Sequence, residues 1–346
     1  QEGNNALEAL FFNYDIKAKQ NKLAINEILS IYTYGILVDT FGNIPYSQAL
    51  DIDKYPSPQY DDAATIYQDL IKRINIAIAN LDTSYGSYAT GARVYDGDVA
   101  KWKKMANSLK LKLAINIADV PALQALSKKS AEEAVASGVF TTNSDNMVLN
   151  YLAVPAQNPL YSDLVASGRH DFVATSTLVD KMNAINDPRR EYYYIKIDGQ
   201  YIGATYGSSS KFSLYSSAGD PKSTSAADKT SLLDPTFPGD ILDYSEVEFY
   251  LAEAVERGYA VGGTAATHYN NAITASILYW GGTASDASTY LSQSSVAYTT
   301  ASGTWKEKIG TQAWIAMYNR GFEGWTFYRR LDYPQLEAPS TAVSAA

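Results

Sequence analysis

The sequence predicts an all-α protein made mainly of helix pairs, with irregular, tyrosine-rich loops between two helical parts. Three observations carry this. Apolar residues recur at helical spacing in several separate segments. Aspartate, proline and glycine punctuate those segments where helices start and stop. Between about residues 140 and 242 the helical period fades, and Gly, Ser, Asp and Tyr take over.

Taken in order, a helical pattern at Ala6–Phe12 already follows the opening Gln1-Glu2-Gly3-Asn4-Asn5, which is no signal peptide. The chain therefore reads as starting inside a longer one, with any export signal or lipid anchor outside these residues. The first long stripe is Ile25, Ile28, Leu29, Tyr32 and Ile36, ended by Gly42, Asn43 and Pro45. After a Tyr/Pro/Asp loop at 43–60, Asp61 or Asp62 caps a second stripe of Ile66, Leu70, Ile74, Ala77, Ile78 and Leu81. These two helices read as an antiparallel hairpin. Asp98 then caps a helix whose apolar face is Trp102, Met105, Ala106, Leu109 and Leu113, with Lys103, Lys104, Lys110 and Lys112 on the remaining surface. Pro121 opens an Ala-rich helix towards Val139. Further helices follow at 243–257, stopped by Gly258, at 264–280 and at 305–319. Helix pairs with alanine at close contacts suggest a tetratricopeptide-like arrangement, although no clean 34-residue repeat is present. An irregular helical domain fits the same pattern. Helix-rich parts near 22–139 and 243–330 thus flank an irregular region near 140–242, all within one incomplete domain spanning 1–346.

Composition narrows the chemistry. The 346 residues hold 28 Tyr, 10 Phe and 5 Trp, with no Cys and two His. Zinc or thiol chemistry has almost nothing to work with, and aromatic rings with a polar handle suit interfaces and sugar-binding surfaces. A formal charge of -9 with no long basic run disfavours nucleic acid. No stretch of about 18 apolar residues is present to span a bilayer. The first reading is a helical binding protein with aromatic loops; the second is an enzyme that works through carboxylates.

Candidate sites follow from those readings. In the irregular region, Tyr-Ile-Lys-Ile-Asp-Gly-Gln-Tyr over 194–201 allows a small hairpin at Asp198-Gly199. Tyr193, Tyr201 and Tyr206 lie in this loop-rich stretch and are the leading ligand-binding candidates, followed by Tyr85 and Tyr88. Each ring also has a plain structural reading. Tyr32, Tyr269 and Trp280 fit core positions on helices. The 216–239 stretch reads as a long loop, either a ligand lid or a surface insertion. Glu246 and Glu253 share a broad helix face but fit packing and helix hydrogen bonding better than catalysis; Asp187 with Glu246 would have to converge from distant segments to act as a glycosidase pair. Asp96 with Asp98, and Asp51 with Asp53, read as turns or caps rather than cation sites. His170 and His268 lack partners at useful spacing, and Gly199, Gly203 and Gly207 do not form a phosphate loop. No catalytic residue, metal or cofactor is expected.

Several segments, in order, resemble the SusD/RagB family, in particular its SusD-like starch-binding outer-membrane branch. They are Tyr34 through Tyr46, Asp98 through Lys110, Asn186-Asp187-Pro188-Arg189, Asp243 through Ala254, Thr311 through Tyr318 and Phe322 through Arg330. Together they extend from about residue 23 to 336. The resemblance implies a mostly helical fold with tetratricopeptide-like units and irregular ligand-binding loops. It further implies a cell-surface lipoprotein of a Bacteroidota outer membrane that captures nutrients, often oligosaccharides or polysaccharides, as a lid over a SusC-like TonB-dependent transporter. Capture would be noncatalytic. Peptides or other nutrients for the same class of transporter are the alternative cargo, and a carboxylate-dependent glycoside hydrolase is a more distant one. The resemblance transfers no sugar-contact residue, because such contacts vary within the family.

Overall fold

The computed structural model describes residues 16–88, 91–169, 171–207, 211–218 and 231–338. The expected helix at Ala6–Phe12, His170, residues 219–230 of the 216–239 loop and the residues from 339 onward lie outside them. The described chain is mainly helical, with short two-stranded sheets. It divides into two compact units, 1–147 with 242–265 and 148–241 with 266–346. In chain order the first unit supplies α1 (Ile16–Phe41), α2 (Ala63–Asn80), α3 (Val99–Asn116) and α4 (Gln124–Ser137). The second supplies α5 (Ser176–Ala184) and α6 (Arg190–Tyr193) before α7 (Tyr244–Glu256) returns to the first. From there α8 (Ala265–Tyr279), α9 (Ala284–Leu291), α10 (Trp305–Ala316) and α11 (Gly321–Leu331) complete the second.

In the first unit α1 and α2 run antiparallel, since Asn21 meets Asp82, Glu27 meets Arg73 and Asp39 meets Tyr67. Ile25, Ile28, Ile31 and Val38 form the buried face of α1; Leu29, expected in that stripe, is exposed. The two candidate caps divide their work. Asp62 accepts the Thr65 N–H and starts α2, while Asp61 accepts the Tyr46 and Ser47 N–H groups and closes the connecting loop. Beside it, β1 (Ile44–Pro45) pairs antiparallel with β2 (Tyr60–Asp61).

Helix α3 is the centre of this unit. Asp98 caps it through the Ala100 and Lys101 N–H groups, and it packs against α1, α2, α4 and α7. With neighbours on all sides it has no solvent face along most of its length. Lys110 and Lys112, expected at the surface, are therefore buried. Their aliphatic stems add to the core, and their ammonium groups end on Glu133 of α4 at 2.7 Å and Glu246 of α7 at 3.2 Å. Pro121 leads through a short 3-10 turn into α4, which ends at Gly138 with φ +96°.

The core of the second unit is aromatic. Tyr193 is fully buried, stacked on Tyr318 at 4.0 Å with the rings 9° from parallel, and edge-on to Trp280 at 4.7 Å. Beneath α6 lies a buried ion pair from the Asn186-Asp187-Pro188-Arg189 segment. Arg189 grips Asp187 with two bonds, 2.9 and 2.6 Å, and also donates to Gln312 Oε1 and Ser276 Oγ. Tyr290 donates to the same carboxylate at 3.0 Å. One tight turn thus ties α6 to α8, α9 and α10.

Candidate functional site

The irregular part of the second unit is held by backbone bonds rather than by a regular sheet. Ala174 N–H donates to the Ser216 carbonyl, Ala204 N–H to that of Ala174, and Ser216 N–H to that of Ile202, each at 2.8 Å. Buried Ser216 also accepts the Ile202 N–H on its hydroxyl. The segments 172–176, 202–206 and 212–218 are thereby laid side by side. Next to them the predicted hairpin is present: Ile197 and Gln200 exchange both backbone bonds, and Asp198 and Gly199 take φ +48° and +78°. Two successive positive φ values are what a two-residue primed turn needs, and Asp-Gly supplies them at low cost.

Gly203 permits this close approach. A Cβ there would sit 2.4 Å from Ser176 N and 2.5 Å from its Cα. Both are backbone atoms, so no side-chain rotation relieves the clash. Gly203→Ala is expected to cost about 1–3 kcal/mol, read as a lowered melting temperature with faster amide exchange at Ala204 and Ser216. Unchanged exchange at both amides would contradict the assignment.

Exposed apolar and aromatic side chains lie on these adjacent segments. Tyr206 is 67% exposed, and Phe172, Phe212 and Leu214 are also open to solvent. The Asp171 carboxylate holds Arg169 with bonds of 2.9 and 2.6 Å, and the guanidinium lies 4.6 Å from the centre of the Phe172 ring. Tyr201 is half-buried, with the Arg190 and Lys196 cations 5.5 and 5.1 Å from its ring centre. Burial pushes its hydroxyl up to about 12, with Glu191 adding to the shift, so it stays a neutral donor. Exposed rings with polar and charged neighbours are what a sugar requires: apolar C–H faces stack while hydroxyls find partners. Sequence reasoning missed Phe172, Phe212 and Leu214. Their signal was the same as for Tyr206, an apolar side chain outside any helical period in a Gly/Ser-rich stretch.

The other candidates have different surroundings. Tyr193 is corrected from platform to core: it has no exposed surface, and its hydroxyl donates to the Ile315 carbonyl at 3.1 Å. Tyr85 and Tyr88 lie in the first unit. Tyr85 is exposed on a loop held by Asn21, whose amide donates to the Asp82, Tyr85 and Gly86 carbonyls. Tyr88 is half-buried and donates to Asn26 Oδ1 at 2.9 Å. The acids considered for catalysis are buried and bonded: Asp187 to Arg189, Glu246 to Lys112 and the Tyr250 hydroxyl, and Glu253 to Arg257. Asp98 caps α3, and Asp51 accepts the Lys54 N–H. Among the described residues no cluster of three or more His, Asp or Glu gathers as a metal site, and no helix is long and apolar enough to cross a membrane.

A family model described as starch-binding and associating with the outer membrane matches residues 4–346. The chain belongs to the SusD-like family. Its helical architecture is the SusD-like one, as solved relatives bear out. A chitin-binding protein superposes with a TM-score of 0.78 at 28% identity, over 95% of this chain and 72% of its own. A SusD homolog from Bacteroides uniformis gives 0.77 at 28% identity, over 92% and 70%. A chitin-binding SusD homolog from Flavobacterium johnsoniae gives 0.74 at 26% identity, over 91% and 69%. Among curated proteins no relative matches.

Proposed function

We propose that this SusD-like chain captures glycans at the extracellular face of the outer membrane, without cleaving them, and delivers them to a SusC-like TonB-dependent transporter. The observation that carries the reading is the exposure of Tyr206, Phe212, Phe172 and Leu214 on adjacent segments, in a chain that matches over residues 4–346 a family described as starch-binding. Two solved relatives described as chitin-binding support a polysaccharide cargo. Noncatalytic action is supported by the burial of Asp187, Glu246 and Glu253, each held by a cation of the fold. A lipid anchor in a Bacteroidota outer membrane completes the proposal, with the protein acting as a lid on its transporter.

Calorimetric titration with starch- and chitin-derived oligosaccharides tests the cargo. Tyr206→Ala and Phe212→Ala are each expected to weaken binding by about 1–3 kcal/mol while leaving the melting temperature in place, because both rings are exposed. Incubation with the same glycans is expected to yield no new reducing ends. Reproducible peptide binding with no response to any glycan would replace the glycan reading by peptide uptake. Co-purification with the transporter encoded beside this chain tests the delivery step, and specific capture of a different membrane component would refute it.

A further inference from the structure

Between α1, α2 and the loop after β1, the first unit holds a cavity of about 570 Å³, within the ~300–1,000 Å³ typical of small-ligand clefts. We propose that this cavity is a second saccharide subsite, taking one or two uncharged sugar rings. The proposal rests on the glycan reading above and assigns part of the binding to the helical unit.

The chemistry of the lining selects the ligand class. Arg73 has three of its five N–H donors engaged: Nε donates to Glu27 Oε1 at 2.5 Å, and its terminal nitrogens donate to the Tyr46 hydroxyl at 2.7 Å and Ser30 Oγ at 3.2 Å. Tyr46 in turn donates to Asp69 Oδ2 at 2.6 Å. Two carboxylates against one guanidinium leave the cavity net acidic, so an anionic ligand is repelled. A wholly apolar ligand would strip water from these carboxylates and return no hydrogen bonds. The groups still on offer are the second oxygens of Glu27 and Asp69, the hydroxyl protons of Ser30 and Tyr34, and the two remaining N–H groups of Arg73. The Tyr34 hydroxyl has no partner among the described residues, while its ring packs edge-on against Tyr46 at 4.8 Å.

An apolar wall completes the cavity. Leu50 lines it, is 72% exposed and sits at φ +63°. A leucine in left-handed backbone is strained, and its own burial returns little of that energy. A ligand resting on Leu50 and Leu29 would use the surface thus displayed. The pattern of acceptors and hydroxyl donors facing aliphatic and aromatic carbon matches a sugar ring, with hydroxyls at its edge and C–H groups on its face. Tyr88 has a place here too, because its hydroxyl fixes Asn26 on the cavity lining.

NMR titration with maltose and with N,N′-diacetylchitobiose tests the subsite, using tyrosine-labelled protein in which Tyr34→Phe assigns the Tyr34 signal. At least one disaccharide is expected to shift that signal saturably. Tyr34→Phe, followed on the signal of the neighbouring Tyr46, should weaken binding about fivefold through one lost hydrogen bond, without loss of fold, since the hydroxyl holds nothing in place. Leu50→Gly should weaken it too while raising the melting temperature, because glycine relieves the positive φ. A merely structural Leu50 would not give that opposed pair of effects. The Tyr206→Ala/Phe212→Ala double variant should retain the event. If saccharide binding is lost in that double variant and never moves the Tyr34 signal, the subsite is refuted and the glycan reading stands. A Tyr34 shift produced by a lysine-bearing dipeptide and by neither sugar refutes the ligand class. Absence of any saccharide response refutes both.

Discussion

Asp187→Ala is expected to destabilise the protein by about 3–5 kcal/mol, the usual effect of stranding one member of a buried ion pair. Arg189 has no solvent exposure and donates two of its hydrogen bonds to Asp187, whose carboxylate also accepts the Tyr290 hydroxyl and the Arg189 backbone N–H. Removing it leaves a buried guanidinium with two neutral side-chain acceptors, Gln312 Oε1 from α10 and Ser276 Oγ from α8. Replacing both members, as Asp187→Leu with Arg189→Met, should recover much of the loss, because desolvation of the stranded charge is the larger part of it. Urea melts of the three proteins measure this. A single-variant loss under 1 kcal/mol would mean that the Asn186–Arg189 turn does not organise the second unit.

Glu246→Ala carries the matching expectation for the first unit, again about 3–5 kcal/mol. Glu246 and Lys112 are almost wholly buried, and Glu246 also accepts the Tyr250 hydroxyl at 2.7 Å. Lys112 lies in the buried stretch of α3, so an unpaired ammonium there cannot reach solvent without disturbing the helix on which the unit is centred. A Lys112→Met/Glu246→Leu pair should restore most of the stability. The outcome bears on function as well. A catalytic Glu246 would lose turnover on substitution while the fold held; a structural one loses the fold.

Much of the architecture was legible because it rests on local chemistry. Asp62 and Asp98 cap helices where a short acidic side chain precedes an apolar stripe, and Asp198-Gly199 makes the turn that its tolerance of positive φ allows. What stayed hidden depends on tertiary neighbours. Lys110 and Lys112 look like surface residues until α4 and α7 supply their carboxylates. Tyr193 looks like a loop aromatic because α6 is a single turn, too short to reveal which side of it faces the core. Helices α5, α9 and α11 were missed as well, the first two for different reasons. The nine-residue α5 is too short for a persuasive stripe. Helix α9 carries a readable signal in its Thr283–Asp286 capping box. At the candidate site, Tyr206 and the chemical character of its segment were legible. That Phe172 and Phe212 join the same ladder was not, because backbone bonds between separate segments bring them there.

The most direct test of the central claim is a crystal structure of this chain with a bound starch- or chitin-derived oligosaccharide. Saccharide density is expected over the ladder, with sugar C–H faces against Tyr206 or Phe212 and hydroxyls near Arg169 or Asp171. Saccharide bound elsewhere, with Tyr206, Phe212 and Phe172 all facing open solvent, would contradict it.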